Sequence, residues 1–200
     1  SLYRFISPSN HLIKEDISKV KSLKKEFSHG QELKGKTIGI WGTGRIGTEV
    51  ARLALSFGMN VLAYHNSNSE MSVEFEIRGK KMEVIIPISS LDDFLQNSDI
   101  ISLHIPHHDS AVITANVISK MKSGVVFLNT SRSSNVDEEA LLKAIESGKI
   151  SKAGLDVFSS KLNSELLKHP NVSVTPHLGA STVEGQEKIS MELARKILEF

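Results

Sequence analysis

Residues 42–47 read Gly-Thr-Gly-Arg-Ile-Gly, and their flanks constrain the fold more than any other stretch of the chain. Before them, at 37–41, stands a short apolar run, Thr-Ile-Gly-Ile-Trp. After them, 45–57 carries apolar residues at helical spacing and ends on Gly58. Strand, glycine turn and helix in that order open a parallel sheet, because parallel strands need a crossover that is usually helical. Each glycine has a physical task. Gly42 permits the tight turn, Gly44 lets a diphosphate approach backbone where a Cβ would clash, and Gly47 lets helix and strand pack closely. Amide hydrogens and the positive end of the helix dipole then face the phosphates.

The alternation continues. Strands are expected at 61–64, 99–103, 125–128, 153–157 and 172–175, and helices at 91–96, around 118–121, at 137–146 and at 182–200. Val73, Phe75 and Ile77 alternate with charged residues, 78–81 turns the chain, and Met82, Val84 and Ile86 alternate in reply. That pattern predicts a half-exposed β-hairpin inserted into the α/β scheme. Before the first strand, 10–27 reads as one polar helix with an apolar face, stopped at 28–30. The terminal helices both carry apolar faces without an obvious partner, which fits a piece of a larger protein or an oligomer.

Composition excludes several classes. Lys plus Arg is 24 and Asp plus Glu is 23, a net charge of +1, which argues against nucleic-acid binding by bulk charge. With no cysteine, disulfides, Cys-ligated zinc and thiol catalysis are out. No apolar run is long enough for a membrane span, and the start, Ser-Leu-Tyr-Arg-Phe-Ile, lacks the core of a signal peptide. It also lacks a Met, as a chain beginning mid-gene or after processing would. The cytoplasm is the expected compartment. His104, His107, His108 and Asp109 lie on a strand end and loop, where their spacing does not set three ligands around one ion; no metal site is expected.

The residue at the end of the second strand reads the adenosine ribose in a dinucleotide site. Here it is His65, where a carboxylate would accept two hydrogen bonds and a neutral ring can make one. A phosphorylated ribose would call for Arg, and none follows until Arg78, so NAD is favoured over NADP. The alternative is that His65 is an exposed loop residue with no ligand.

Five further stretches fall in a telling order: Ser-Leu-His-Ile-Pro at 102–106, Asn-Thr-Ser-Arg at 129–132, Val-Asp-Glu-Glu-Ala-Leu at 136–141, Gly-Leu-Asp-Val-Phe at 154–158 and Thr-Pro-His-Leu-Gly-Ala at 175–180. With the glycine turn they resemble the NAD-binding domain of the D-isomer-specific 2-hydroxyacid dehydrogenases. Residues 31–36 and 180–182 are similar to the phosphoglycerate-dehydrogenase branch of that family. The resemblance implies a Rossmann-type, doubly wound parallel sheet over residues 31–200, with 1–30 as a linker helix. It implies that Arg45 and Ile46 sit against the diphosphate, and that His104 and Pro106 line the path from adenosine to nicotinamide. Thr130 would stand near the nicotinamide, Asp156 would hold its carboxamide, and Gly179 would join the cofactor contacts. Arg132 would grip the substrate carboxylate and His177 would be the general acid. The implied reaction is reversible hydride transfer between NAD and a 2-hydroxy or 2-keto acid such as 3-phosphoglycerate. The implied assembly is a homodimer, with neither nucleic acid nor membrane as partner.

The chain departs from the family pattern. The family pairs its histidine with a glutamate about five residues beyond the aspartate; Lys161 stands there, so His177 is expected to lack a carboxylate that fixes its tautomer. Ser133 and Ser134 replace two glycines and could crowd the nicotinamide or point away. The family's separate, mostly N-terminal substrate domain is expected to be absent from this chain. These departures favour a second reading, a catalytically silent dinucleotide-binding or dimerisation module; Arg132, Asp156 and His177 favour the dehydrogenase.

Overall fold

In a computed structural model of the chain, residues 2–4, 6–159 and 164–199 are described. Helices α1 (Ile6–Glu15) and α2 (Val20–Glu26) precede β1 (Thr37–Trp41), α3 (Arg45–Ser56) and β2 (Asn60–Tyr64). The antiparallel hairpin β3 (Glu70–Ile77) and β4 (Lys80–Pro87) follows, then α4 (Leu91–Asn97), β5 (Ile100–Leu103), α5 (Ala115–Lys120) and β6 (Val125–Asn129). The chain continues through α6 (Glu138–Glu146), β7 (Ile150–Leu155), α7 (Ser164–Lys168), β8 (Val172–Val174) and α8 (Val183–Leu198). Six strands form one parallel sheet in the order β2-β1-β5-β6-β7-β8; the alternation predicted a parallel sheet, and the resemblance implied this doubly wound α/β arrangement. The order reverses between β1 and β5.

Strand alternation divides the core between the two faces of the sheet. Ile38 and Ile40 of β1 pack with Ala51 and Ala54 of α3 and with Met71, Val73 and Ile86 of the hairpin, so the hairpin covers sheet where a doubly wound fold commonly places a helix. Trp41, Ile101, Leu103 and Phe127 face the other way, onto Phe94, Leu95, Ile118, Leu141 and Ile145 of α4, α5 and α6. The hairpin closes through Arg78 (φ 51°) and Gly79 (φ 77°), two consecutive left-handed residues whose twist matches the flanking strands. It rejoins the sheet through a parallel bridge from Ile88 to Ala63.

The single helix expected over 10–27 is broken. Asp16 has φ −155° and its carboxylate accepts from the Ser18 amide (2.9 Å) and hydroxyl (2.7 Å). A short Asp side chain that bonds its own neighbours offers the backbone an alternative to the helix, and that ends α1. Thr182 caps α8 by accepting from the Gly185 amide, and exposed Val183, Met191, Ile197 and Leu198 lie along that helix.

Gly39 sets the distance between β1 and α4. A Cβ there would lie 2.7 Å from the buried Phe94 ring and overlap the Ser98 hydroxyl. Gly39→Ala is expected to destabilise the fold by about 1–3 kcal/mol, the usual cost of overpacking. Urea unfolding with an unchanged m-value measures it; a midpoint equal to that of the wild type would contradict this packing.

Candidate functional site

The parallel register lines up the strand ends. Tyr64 pairs with Trp41, Trp41 with Leu103, Leu103 with Asn129, Asn129 with Leu155 and Leu155 with Val174. The next residue on each strand is therefore His65, Gly42, His104, Thr130, Asp156 and Thr175, in spatial order along the carboxyl edge. With strands about 4.8 Å apart, that row spans about 24 Å. Five of the six are expected site residues; Thr175 is the addition.

The glycine turn sits at the point of strand-order reversal. Gly42 has φ +103°, and a Cβ on it would come within 2.5 Å of the His104 carbonyl oxygen. A Cβ on Gly47 would overlap the Gly42 carbonyl oxygen, so Gly47 is what lets α3 close on the turn. Gly44 differs from both. Its φ of −74° and ψ of −176° suit any residue, and a Cβ there would meet nothing within 4 Å. Neither strain nor internal packing asks for glycine, yet the position leaves a bare cradle in front of α3. The first hydrogen bond of that helix runs from the Thr48 amide to the Gly44 carbonyl (2.9 Å), and no side chain caps its start. The amides of Arg45, Ile46 and Gly47 thus point out of the helix end, the geometry that receives a diphosphate.

Beside the turn lies a cavity of about 380 Å³ whose lining includes Trp41, Tyr64, His65, Ile105 and Pro106. Trp41 meets Tyr64 edge-on at 5.0 Å. An apolar, aromatic cleft of this size next to a phosphate cradle suits an adenine. Trp41 reads as core from sequence, and it is both core and cavity wall. His65 turns back on its own loop: Nδ1 accepts from the Ser67 and Asn68 amides at 3.1 and 3.2 Å. A neutral ring used that way carries its proton on Nε2 and can only donate to a ribose.

His104 stands in the middle of the row. Nε2 meets the Ser102 hydroxyl at 2.9 Å and Nδ1 meets the Thr130 hydroxyl at 3.4 Å. Burial pushes its pKa down from 6.5 to about 4, so the ring is neutral at physiological pH. The turn after β6 is closed by Asn129, whose Oδ1 accepts from the Ser131 amide and hydroxyl and whose Nδ2 donates to the Arg132 carbonyl. That turn leaves Arg132 exposed at the edge. Buried Asn135 ties it to the loop after β5 by donating to the Pro106 carbonyl (2.9 Å) and accepting from the His108 amide (3.1 Å). Neither asparagine is an expected site residue. An Asn ending a strand ahead of Ser is an Asx-turn signal that could have found Asn129; nothing local marks Asn135. Ser134 bonds His107 (2.8 Å), so its hydroxyl turns to that loop.

The expectation that His177 lacks a carboxylate does not hold. Its Nδ1 lies 3.0 Å from Asp156 Oδ2, while Asp156 Oδ1 accepts from the Thr175 hydroxyl and, at 3.2 Å, from the His177 amide. The register of β7 and β8 causes this, because it sets the residue after Leu155 beside 175–177. His177 has φ 56°, a left-handed backbone held by those bonds. Lys161, at the position of the expected glutamate, lies outside the described residues. Glu138 has a role the sequence did not mark: its carboxylate accepts from the Ser159 amide (2.9 Å) and hydroxyl (2.8 Å), pinning the strand-to-helix loop after β7. Gly179 is exposed, with nothing within 4 Å of a Cβ. Among the described residues, no three His, Asp or Glu are grouped to hold a metal, and no helix is long and apolar enough to cross a membrane.

Comparison with known proteins gives the family. Residues 1–179 match the family model for the D-isomer specific 2-hydroxyacid dehydrogenase, NAD binding domain. The chain is 40% identical over 201 residues to a hydroxypyruvate reductase of Thermotoga maritima, covering 97% of this chain and 60% of the relative. It is 38% identical over 175 residues to a D-3-phosphoglycerate dehydrogenase of Bacillus subtilis, covering 86% and 32%. Among solved structures, a D-lactate dehydrogenase from Aquifex aeolicus complexed with NAD and lactic acid superposes with a TM-score of 0.71 at 31% identity, covering 98% of this chain and 65% of that one. The chain therefore spans less than two thirds of the length of each of these proteins.

The glycines give a paired test. Gly44→Asn keeps a good helix cap and is expected to leave stability within about 0.5 kcal/mol, whereas Gly47→Ala must displace backbone and should cost about 2 kcal/mol or more. Equal losses would mean that Gly44 is structural after all. His104 gives a pH test. Its folded pKa lies below its unfolded one, so the unfolded chain takes up the extra proton and stability falls as pH drops from 6.5 to about 4. The loss attributable to this ring is at most about 3 kcal/mol. His104→Gln should flatten the profile over that interval; two parallel profiles would count against a buried neutral ring.

Proposed function

The chain belongs to the D-isomer-specific 2-hydroxyacid dehydrogenases, whose NAD-binding domain it carries, and from that premise we propose the cofactor-holding half of an NAD-dependent enzyme that interconverts a 2-keto acid and a D-2-hydroxy acid. The single observation that carries the reading is the bare cradle at Gly44, a glycine that the fold itself does not require. The amides of Arg45, Ile46 and Gly47 would hold the diphosphate, Trp41 and Tyr64 would wall the adenine, and His65 would stand beside the ribose. His104, Pro106, Thr130 and Gly179 would line the way to the nicotinamide, as the family resemblance implies.

When bound, NADH supplies the hydride. The chain's own residues handle charge and proton. Arg132 pairs with the substrate carboxylate, for which a planar guanidinium fork is suited. His177 gives a proton to the keto oxygen and takes it back in the oxidation direction. Asp156 holds the ring by Nδ1, which leaves Nε2 to face the substrate. Residues 1–30 act as a linker and 31–200 as the cofactor domain of a longer protein whose other domain closes over the substrate and excludes water. The protein works in the cytoplasm as a dimer. Hydroxypyruvate and 3-phosphohydroxypyruvate are the keto acids to try first, after the names of its relatives.

The second reading, a silent dinucleotide-binding module, is favoured by His65, whose bonded Nδ1 offers the ribose no acceptor. The two part on experiment. Trp41 is the only tryptophan, and NADH is expected to quench its emission in a saturable way that Gly44→Asn abolishes. In the longer protein, His177→Asn, chosen because Asn tolerates a left-handed backbone, should lower kcat about 100- to 10,000-fold with NADH affinity unchanged. An absence of quenching sinks cofactor binding. Quenching without turnover of either keto acid leaves the silent module.

A further inference from the structure

A second cavity, of about 410 Å³, opens at the opposite end of the same strands. Its lining includes Lys36 and Asp99, one residue before β1 and β5 respectively, Lys122 in the turn before β6, Lys152 in the first half of β7, and Tyr3 on the N-terminal segment. That segment roofs the cavity. The Tyr3 carbonyl accepts from the Gln31 amide (3.0 Å), and the Tyr3 hydroxyl donates to the Asp99 carbonyl oxygen (3.4 Å). None of these residues belongs to the dinucleotide edge.

The lining has an unbalanced charge. Among the described residues of the lining, three lysine ammonium groups accompany one carboxylate, a surplus of two positive charges with His29 not counted. The carboxylate is already engaged: Asp99 Oδ1 meets Lys122 Nζ at 2.7 Å and Oδ2 accepts from the Thr37 amide at 2.8 Å. Burial pushes the Asp99 pKa up, but the bonds from Lys122 and Thr37 and the charges of Lys122 and Lys36 outweigh it and hold the carboxyl below its usual range. The cations are held in place. Lys152 Nζ donates to the Leu2 carbonyl (2.7 Å), and Lys36 Nζ lies 5.2 Å from the centre of the Tyr3 ring. Burial lowers the Lys152 pKa, the sign of an ammonium drawn partly out of water. Burial and the Asp99 charge push Tyr3 up to about 12, so its phenol keeps its proton. Cations fixed by their own partners lose little freedom when an anion arrives, which favours binding.

We infer that this amino-edge cavity is a binding site for a small dianion, a phosphate group or the organic phosphate that carries it, seated among Lys36, Lys122 and Lys152. Two charges on the ligand match the surplus of two on the lining. The site lies at the far end of the strands from Gly44, so a ligand here does not compete with the dinucleotide.

The experiment is an amide NMR titration of the chain with inorganic phosphate at neutral pH and constant ionic strength, with and without saturating NADH. Saturable shifts are expected at Tyr3, Lys36, Lys122 and Lys152, unchanged by NADH. Lys36→Met should weaken binding at least about tenfold, as expected for losing one charged partner. Lys152→Met should do the same; if losing the bond to Leu2 unfolds the segment, Lys36→Met still decides. Malonate distinguishes a site for any dianion, which binds it equally, from one that prefers the phosphoryl group. Shifts that never saturate, that survive Lys36→Met, or that fall only at 42–47 and vanish with NADH would overturn the proposal. Because NADH binding is read at the other edge, failure here leaves the dinucleotide reading intact, and the reverse also holds.

Discussion

Parallel pairing of β1 with β2 on one side and β5 on the other is the constraint from which the rest of the molecule follows. It forces the chain to leave β1 in one direction and return on the other side, which opens a crevice at the carboxyl edge. It also sets six strand ends level, so that residues far apart in sequence become neighbours in a row. Gly42 and His104 touch because β1 and β5 are in register; Asp156 reaches His177 because β7 and β8 are. The glycines answer to the same pairing: Gly39 lets α4 approach the sheet and Gly47 lets α3 approach the turn.

The two ends of the sheet differ in chemistry. The carboxyl edge offers amides at the start of α3, an aromatic cleft and a neutral His104, an environment for a long ligand carrying phosphate and rings. The amino edge offers lysines and a roof made by the first residues of the chain. Strand polarity underlies the separation: turns that lead into helices stand at one end, and the residues that bring the chain back stand at the other.

Much of this was legible in the sequence because it depends on local chemistry. The strand at 37–41, the glycine turn, the helix expected at 137–146 and the hairpin around Arg78 and Gly79 are each decided by residues within a few positions of one another. The long helix expected over 10–27 failed for an equally local reason, the Asp16 carboxylate bonding Ser18, which apolar spacing alone does not reveal. The partner of His177 failed for a nonlocal one. Reading onward from Asp156 for an acid leads to Lys161, whereas the carboxylate that touches the ring is Asp156 itself. Asn135 and Glu138 escaped for the same reason, since each ties together loops that meet only in the folded sheet.

By itself, the order of residues determined the alternation of strands and helices, the turn that leaves room for a diphosphate, and the set of side chains available for chemistry. These follow from backbone preference and side-chain size, which act over a few residues. Tertiary structure alone decided which of those side chains meet: His65 folded back on its loop, His104 made neutral by burial, Asp156 clasping His177, and three lysines gathered under Tyr3. The physical reason is that desolvation and hydrogen bonding between strands depend on register and on what covers each edge, and those exist only once the sheet has closed.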